Sequence, residues 1–382
     1  MVDACANIAG PYATMILAQL GADVIKLEPP QGDDARRYAD QYGGHSIVHH
    51  LVGAGKRNVA IDVKTEDGLE AARRLIDSAD VFVQSMRPGV AERLGLGHDD
   101  LKRTNANLLY YDISGYGTGS VGRSLPGYDP LVQAFSGIMD MTGHPGGPPT
   151  RCAPSVVDLG TGQWVALGIV AALMSRSQGQ PVTSMETALV DTAFSLVGYQ
   201  ATSARITGKR PAKAGSGNPI AAPYQCYSAK DGWLLIAAPS QRLWRALVHA
   251  LGREELAEDP RFQTVDSRSA HREALESELN DILETAETEE WIERLSAQGV
   301  PVGRVAGLEE AVVSDIAAER GTFVPSGDVP LVRLPLLVEG THLPWSSSAS
   351  ATGEHTREVL HELGYSSSEV DGLVSAGCVV VP

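Results

Sequence analysis

One carboxylate stands in a setting that allows chemistry. Asp158 follows the apolar run Ala153-Pro154-Ser155-Val156-Val157 and precedes Leu159-Gly160-Thr161-Gly162, after which apolar residues recur at helical spacing from Gln163 to Arg176. Read locally, a strand-like run delivers the acid to a glycine-flanked turn at the start of a helix. Backbone N–H groups without intrahelical partners and the positive end of the helix dipole favour the ionised side chain there. An accessible, ionised carboxylate can attack an activated carbonyl carbon. An aspartate at a helix start also serves as its cap, and the motif alone fits both roles.

Three other patterns invite chemistry and fail on context. Gly117-Thr118-Gly119-Ser120-Val121-Gly122 matches the dinucleotide-binding G-x-G-x-x-G. That motif must open a helix, and here Arg123-Ser124-Leu125-Pro126-Gly127 follows, so a pyrophosphate would find no helix N-terminus. His45, His49 and His50 have no carboxylate or cysteine pattern to complete a metal site. Ser136 lacks the glycines of a nucleophile elbow.

The elements that would position Asp158 read as a β/α alternation. Strands are expected at Ala22 to Leu27, Asn58 to Val63, Val81 to Gln84 and Asn107 to Ser114. Helices are expected at Tyr12 to Leu20, Glu66 to Ser78 and Asp99 to Thr104, with a turn at Ala9-Gly10-Pro11. Such alternation implies an α/β fold with a parallel sheet, whose ligands gather at the carboxyl ends of strands. Residues 2–8 run directly into this pattern, so the first strand is expected to be short or to lack its start. From Gly208 to Pro223 the pattern dissolves into Gly, Pro, Lys and Ala, the composition of a linker or loop. Beyond it, Cys226 to Ser228 and Trp233 to Ala237 form a hairpin around Lys230-Asp231-Gly232. Helices follow through Leu251 and from His271 to Gln298, then short strands after Gly321 and a helix pair at Glu354 to Leu363 and Ser367 to Ser375. The expected organisation is a large domain at 1–207, a glycine-rich loop at 208–224, a smaller α+β domain at 225–320, and a segment at 321–382 that returns to the first domain.

Composition narrows the function classes. At 382 residues, with 43% hydrophobic and 20% charged residues, the chain has the make-up of a folded enzyme of two or three domains. A formal net charge of −16 and the lack of a dense Lys/Arg run argue against a nucleic-acid partner. Cys5, Cys152, Cys226 and Cys378 form no CxxC pair, so neither a zinc site nor a disulfide framework is expected, and a reducing cytoplasm fits. No unbroken apolar run reaches the roughly 18 residues needed to cross a bilayer, so no membrane partner is expected.

Ordered blocks along nearly the whole chain resemble the class III CoA-transferases, the group of formyl-CoA transferase, carnitine CoA-transferase and the α-methylacyl-CoA racemases. The blocks are Ala9-Gly10-Pro11 with residues 20–28, Lys56-Arg57 with Ile61-Asp62-Val63-Lys64, and Arg87-Pro88-Gly89-Val90 with Arg93-Leu94-Gly95. They continue with Gly115-Tyr116-Gly117, Gly127-Tyr128-Asp129, Gln133-Ala134, Ser136-Gly137, Asp158-Leu159-Gly160-Thr161-Gly162 and Gly353-Glu354-His355-Thr356. The resemblance implies a large Rossmann-like domain built from both chain ends, a smaller α+β domain, and two ring-like subunits interlocked as a homodimer.

It also implies that Asp158 is the covalent nucleophile in CoA transfer from an acyl-CoA donor to a small carboxylic acid acceptor, with no metal and no permanently bound cofactor. The intermediates would be an aspartyl-acyl anhydride and an aspartyl-CoA thioester. By the same resemblance, coenzyme A lies against Ile8, Ala9, Ile61, Lys64, Ser85, Met86, Arg87, Arg93, Tyr128 and Asp129. Lys64, Arg87 and Arg93 would meet its phosphates. Gly215, Gly217 and Asn218 would belong to a glycine loop over the acyl intermediate, and Glu28 would be structural. Racemase members of the family have a histidine where this chain has Tyr128. A tyrosine, with an ordinary pKa of about 10, is a poor general base near neutrality, which favours transferase over racemase.

Overall fold

The computed structural model describes residues 1–38 and 41–382. Seven strands form its main sheet: β1 Val2–Ala4, β2 Ile25–Glu28, β3 Arg57–Ile61, β4 Val81–Gln84, β5 Leu109–Ser114, β6 Ser184–Ala188 and β7 Val379–Val380. Their order is β7-β3-β2-β1-β4-β5-β6, and all neighbours are parallel except β7, which runs antiparallel to β3. Strands β1 to β5 are short and almost wholly buried, as parallel strands covered on both faces must be. From β1 the chain winds out to β2 and β3, then returns to the other side of β1 for β4, β5 and β6. This reversal opens a crevice beyond the carboxyl ends of β1 and β4.

Helix α1, Ala9–Gln19, connects β1 to β2. The expected turn at Ala9-Gly10-Pro11 is instead its first helical turn, where proline's missing N–H costs nothing. Helix α2, Glu66–Asp77, connects β3 to β4. It is capped by Thr65, whose hydroxyl accepts the Gly68 N–H at 3.2 Å, and it buries Ala71, Ala72, Leu75 and Ile76. These side chains share a core with Val59, Ile61 and Phe82, and with Val359, Leu360 and Val370 of the C-terminal helices Thr356–Glu362 and Ser367–Ser375. The C-terminal segment is bound to β3 and its flanks. The Gly353 N–H donates to Asn58 Oδ1 at 2.6 Å and the Ala60 N–H to Thr356 Oγ1 at 3.0 Å, while Arg57 pairs with Asp23, Glu358 and Glu362.

Two further helices matter for the site: α3, Asp129–Phe135, and α4, Val156–Ser177. The expected strand at 153–157 does not form, because α4 begins at Val156 rather than near Gln163. Its two early glycines are packing residues within the helix, not turn residues. A Cβ on Gly162 would lie 2.7 Å from the Ala9 carbonyl oxygen and 2.9 Å from Tyr12 Cδ1 of α1, and one on Gly160 would lie 3.1 Å from Thr192 Cγ2. By length and composition alone α4 could cross a membrane, a test that core helices also pass.

The chain divides into two compact units, one of residues 1–138, 152–202 and 318–382, the other of residues 139–151 and 203–317. The second unit has an antiparallel sheet of Tyr224–Ala229, Gly232–Ala237 and Val302–Arg304, with the expected hairpin turning at Lys230-Asp231. Its core gathers Trp244, Phe262, Leu279 and Leu295. The expected single helical stretch from His271 to Gln298 is two helices, Arg272–Leu283 and Thr288–Ala297, and the one expected at Asp99 to Thr104 is a short turn of helix at His98–Leu101.

Candidate active site

A cleft occupies the crevice. Its walls are residues 6–10 after β1, 85–88 after β4, 113–115 at the end of β5, 125–128 before α3, Leu189 after β6, and Asp158. Two of these walls are tied together, since the Ala6 N–H donates to Ser85 Oγ at 2.9 Å. The Met86 N–H in turn donates to Gln84 Oε1 at 2.7 Å.

Asp158 lies in the first turn of α4 and is half-buried. The N-terminus of that helix is held by a second carboxylate. Asp129, 2% exposed, accepts the backbone N–H groups of Val157 at 2.9 Å and Asp158 at 3.4 Å through Oδ2, while its Oδ1 accepts Gln133 Nε2 at 2.6 Å. Gln133 Oε1 accepts the Cys152 N–H at 3.0 Å, so the segment leading into α4 is fixed by the same pair. Asp129 therefore caps the helix from outside it, a service that Ser155 at the N-cap position does not perform with its side chain. Further along, Thr161 Oγ1 donates to Thr192 Oγ1 at 2.8 Å and ties α4 to the helix Leu189–Leu196.

Of the residues singled out from sequence, Ile8, Ala9, Ser85, Met86, Arg87, Tyr128 and Asp158 line one cleft. Arg87 is exposed, and Tyr128 is 55% exposed. The remaining candidates are placed elsewhere. Ile61 is in the core at the end of β3, Lys64 and Arg93 are exposed on the surface, and Asp129 faces α4. Gly215, Gly217 and Asn218 belong to the second unit, where the Gly215 N–H donates to the Gly143 carbonyl at 3.0 Å and the Asn218 N–H to the Tyr224 carbonyl at 2.8 Å. The rings of His45, His49 and His50 meet at tilted or edge-on angles, with those of His45 and His49 5.3 Å apart. Burial, with the charge of Arg36, pushes His49 down to about 3, so it is neutral. Among the described residues no group of three His, Cys, Asp or Glu side chains is arranged to hold a metal ion.

Sequence reasoning missed Asn7. It lines the cleft directly after β1 and holds a left-handed backbone, φ 67°, unusual for a residue other than glycine. It also overlooked the charge cluster behind the cleft. Lys56 Nζ donates to Asp3 Oδ2 (2.9 Å), the Pro11 carbonyl (2.7 Å) and Thr14 Oγ1 (2.7 Å). Lys26 Nζ donates to the Cys5 carbonyl and pairs with Asp33 at 3.3 Å, and Arg36 pairs with Glu28 at 2.8 Å. Burial alone would raise the Asp3 carboxyl. Lys26, Lys56 and the Thr14 hydroxyl outweigh it and hold Asp3 below the ordinary carboxylate range.

The family model described as CoA-transferase family III matches residues 1–356. The chain is 34% identical to acetyl-CoA:oxalate CoA-transferase of Acetobacter aceti, over 89% of this chain and 88% of that protein. It is 32% identical to succinate–glutarate CoA-transferase of Agrobacterium fabrum, over 93% and 92% respectively. A crystal structure of a CaiB/BaiF family protein from Brucella suis superposes with a TM-score of 0.86 at 32% identity, covering 95% of this chain and 97% of that one. The chain belongs to CoA-transferase family III and is a CoA-transferase.

Proposed function

We propose that this enzyme moves coenzyme A from an acyl-CoA to a free carboxylic acid, with Asp158 as the covalent relay. The observation that carries the reading is the position of Asp158, an acid on the first turn of a long helix lining the cleft at the sheet's point of reversal. One Asp158 oxygen attacks the thioester carbonyl. The C–S bond breaks, CoA leaves as the thiolate, and an aspartyl-acyl anhydride remains. The thiolate then attacks the aspartyl carbonyl, which expels the donor acid and forms an aspartyl-CoA thioester. The acceptor carboxylate attacks that thioester and the two steps run in reverse. Each exchange joins groups of similar activation, so the protein's tasks are to orient the partners, support developing negative charge and exclude water from the anhydride.

In this reading Arg87 meets a CoA phosphate and Tyr128 flanks the pantetheine arm. Asp129 acts through α4 rather than on CoA. The acids exchanged are small dicarboxylates, a class supported by the oxalate and glutarate named for two relatives. The exposed side chains Trp164, Leu167 and Met174 of α4, with Phe135 and Phe194 beside it, support an interlaced homodimer that covers this apolar face.

Asp158→Ala tests the reading. CoA transfer, assayed by mass spectrometry with succinyl-CoA and a panel of small acids, is expected to fall by about 10⁴-fold or more, the scale seen when a covalent nucleophile is removed. The variant's circular dichroism should match the wild type. Transfer at the wild-type rate would refute the assignment.

A further inference from the structure

The cleft contains a second polar group with a fixed orientation. Asn7 is bound on two sides: its backbone N–H donates to Asp33 Oδ1 at 3.3 Å, and its side-chain Oδ1 accepts the Tyr38 hydroxyl. Asp33 is itself anchored, pairing with Lys26 at 3.3 Å and accepting the Ala35 N–H at 2.9 Å. Burial and the nearby charges of Asp33, Asp34, Tyr128 and Asp158 all raise the pKa of Tyr38, so its hydroxyl keeps its proton and lies within electrostatic reach of the nucleophile. The left-handed backbone of Asn7 is one of two positive φ angles outside glycine among the described residues. Such strain persists where surrounding contacts enforce it, and it concentrates at functional sites.

With Oδ1 held by Tyr38, the other end of the planar amide, Nδ2, has no protein acceptor among the described residues. Two cleft hydroxyls already have backbone duties, since Ser85 Oγ accepts the Ala6 N–H and Ser114 Oγ the Gly117 N–H. Nδ2 is thus a neutral donor on a residue of the cleft wall. It can neither attack the substrate nor take its proton.

We propose that Asn7 Nδ2 donates a hydrogen bond to the acyl oxygen of the group being transferred to and from Asp158, supporting the oxyanion of the tetrahedral intermediate. This rests on the covalent reading of Asp158. When an Asp158 oxygen bonds to the thioester carbon, the carbonyl π pair moves onto the acyl oxygen. That charge returns to re-form C=O as the C–S bond breaks and the pair leaves on sulfur. A donor present before the attack stabilises the charged stage more than the neutral thioester, and so acts on kcat more than on substrate binding.

The test uses Asn7→Gly, which suits the left-handed backbone and removes the amide, and Asn7→Asp, which keeps its size and tolerates the same φ but replaces the donor with an acceptor. Both are expected to lose about 10²-fold in kcat, with KM for acyl-CoA changed by less than about threefold and an unchanged thermal midpoint. Tyr38→Phe, which frees the amide, should lose less. A wild-type kcat in Asn7→Gly, or a loss confined to KM, would overturn the proposal. Hydroxylamine trapping on Asp158 is run on the same variants. If wild-type protein gives no Asp158 adduct, the covalent reading itself fails, whereas an adduct together with an unaffected Asn7→Gly refutes Asn7 alone.

Discussion

Two charged regions meet at β1, and they handle charge in opposite ways. Behind α1, Asp3, Glu28 and Asp33 are buried with Lys26, Lys56 and Arg36, and each ion is paired. Past the end of the same strand the chain opens into the cleft, where Asp158 is half-buried at a helix N-terminus and Arg87 faces solvent. A buried ion without its partner is costly, so the sealed cluster holds the β1 loop in one geometry. A carboxylate on the open side has room for a substrate carbon to approach. Charge kept from water here serves as scaffold, whereas in the proposed mechanism the charge beside the cleft serves the reaction.

The largest expected effect that separates the two is on the sealed side. Lys56→Met leaves Asp3 short of a buried partner and should destabilise the fold by about 3 to 5 kcal/mol, read from urea unfolding. Activity per folded molecule should stay near wild type. A lost rate at full stability would mean that the cluster belongs to the reaction after all.

Asp129→Asn probes the boundary between the regions. It keeps an acceptor for the α4 N–H groups but removes the charge, so stability should fall by about 1 kcal/mol. The kcat should drop several-fold while KM for acyl-CoA holds. A raised KM with kcat intact would make Asp129 a CoA contact instead of the group that positions α4.

The smallest effect concerns Asp112, whose neighbour across β5 and β6 is Glu186. Burial first, then the charges of Glu186 and Glu92, push its carboxyl up to about 6. The folded chain therefore keeps this proton until about pH 6, while the unfolded chain releases it near pH 4. Stability contributed by the protonated form is lost as pH rises across that window, and above it the ionised group is a net cost. Asp112→Asn should stabilise the protein by about 1 kcal/mol at pH 7 and by nothing at pH 3.5, with no effect on transfer. Equal gains at both pH values would show that the effect is not electrostatic.

Much of the scaffold was legible because its signals are local. Val81–Gln84 is a short apolar run bounded by polar residues, and the helix Ser367–Ser375 begins with a Ser366/Glu369 capping box, so both were placed to the residue. Strand β6, Ser-Met-Glu-Thr-Ala, escaped notice because it lies at the sheet edge and alternates weakly. The start of α4 was misread because Gly160 and Gly162 resemble a turn locally, and only contact with Thr192 and α1 explains why a helix needs them. Asp158 stood out from its local pattern, whereas its role as nucleophile and the loops after β1 and β4 came from motif resemblance. Asn7 did not, since its backbone angle and its Tyr38 and Asp33 partners are tertiary facts. Lys64 and Arg93 are exposed cations, and the resemblance alone gave them a part in phosphate binding, because an exposed charge carries no local signal of what it meets.

The central claim is that Asp158 becomes covalently acylated during turnover. The protein is incubated with succinyl-CoA, quenched with hydroxylamine, digested and sequenced by mass spectrometry. The account predicts a hydroxamate on Asp158 that is absent without acyl-CoA. Sustained CoA transfer with Asp158 unmodified, or with the adduct on another side chain, would contradict it.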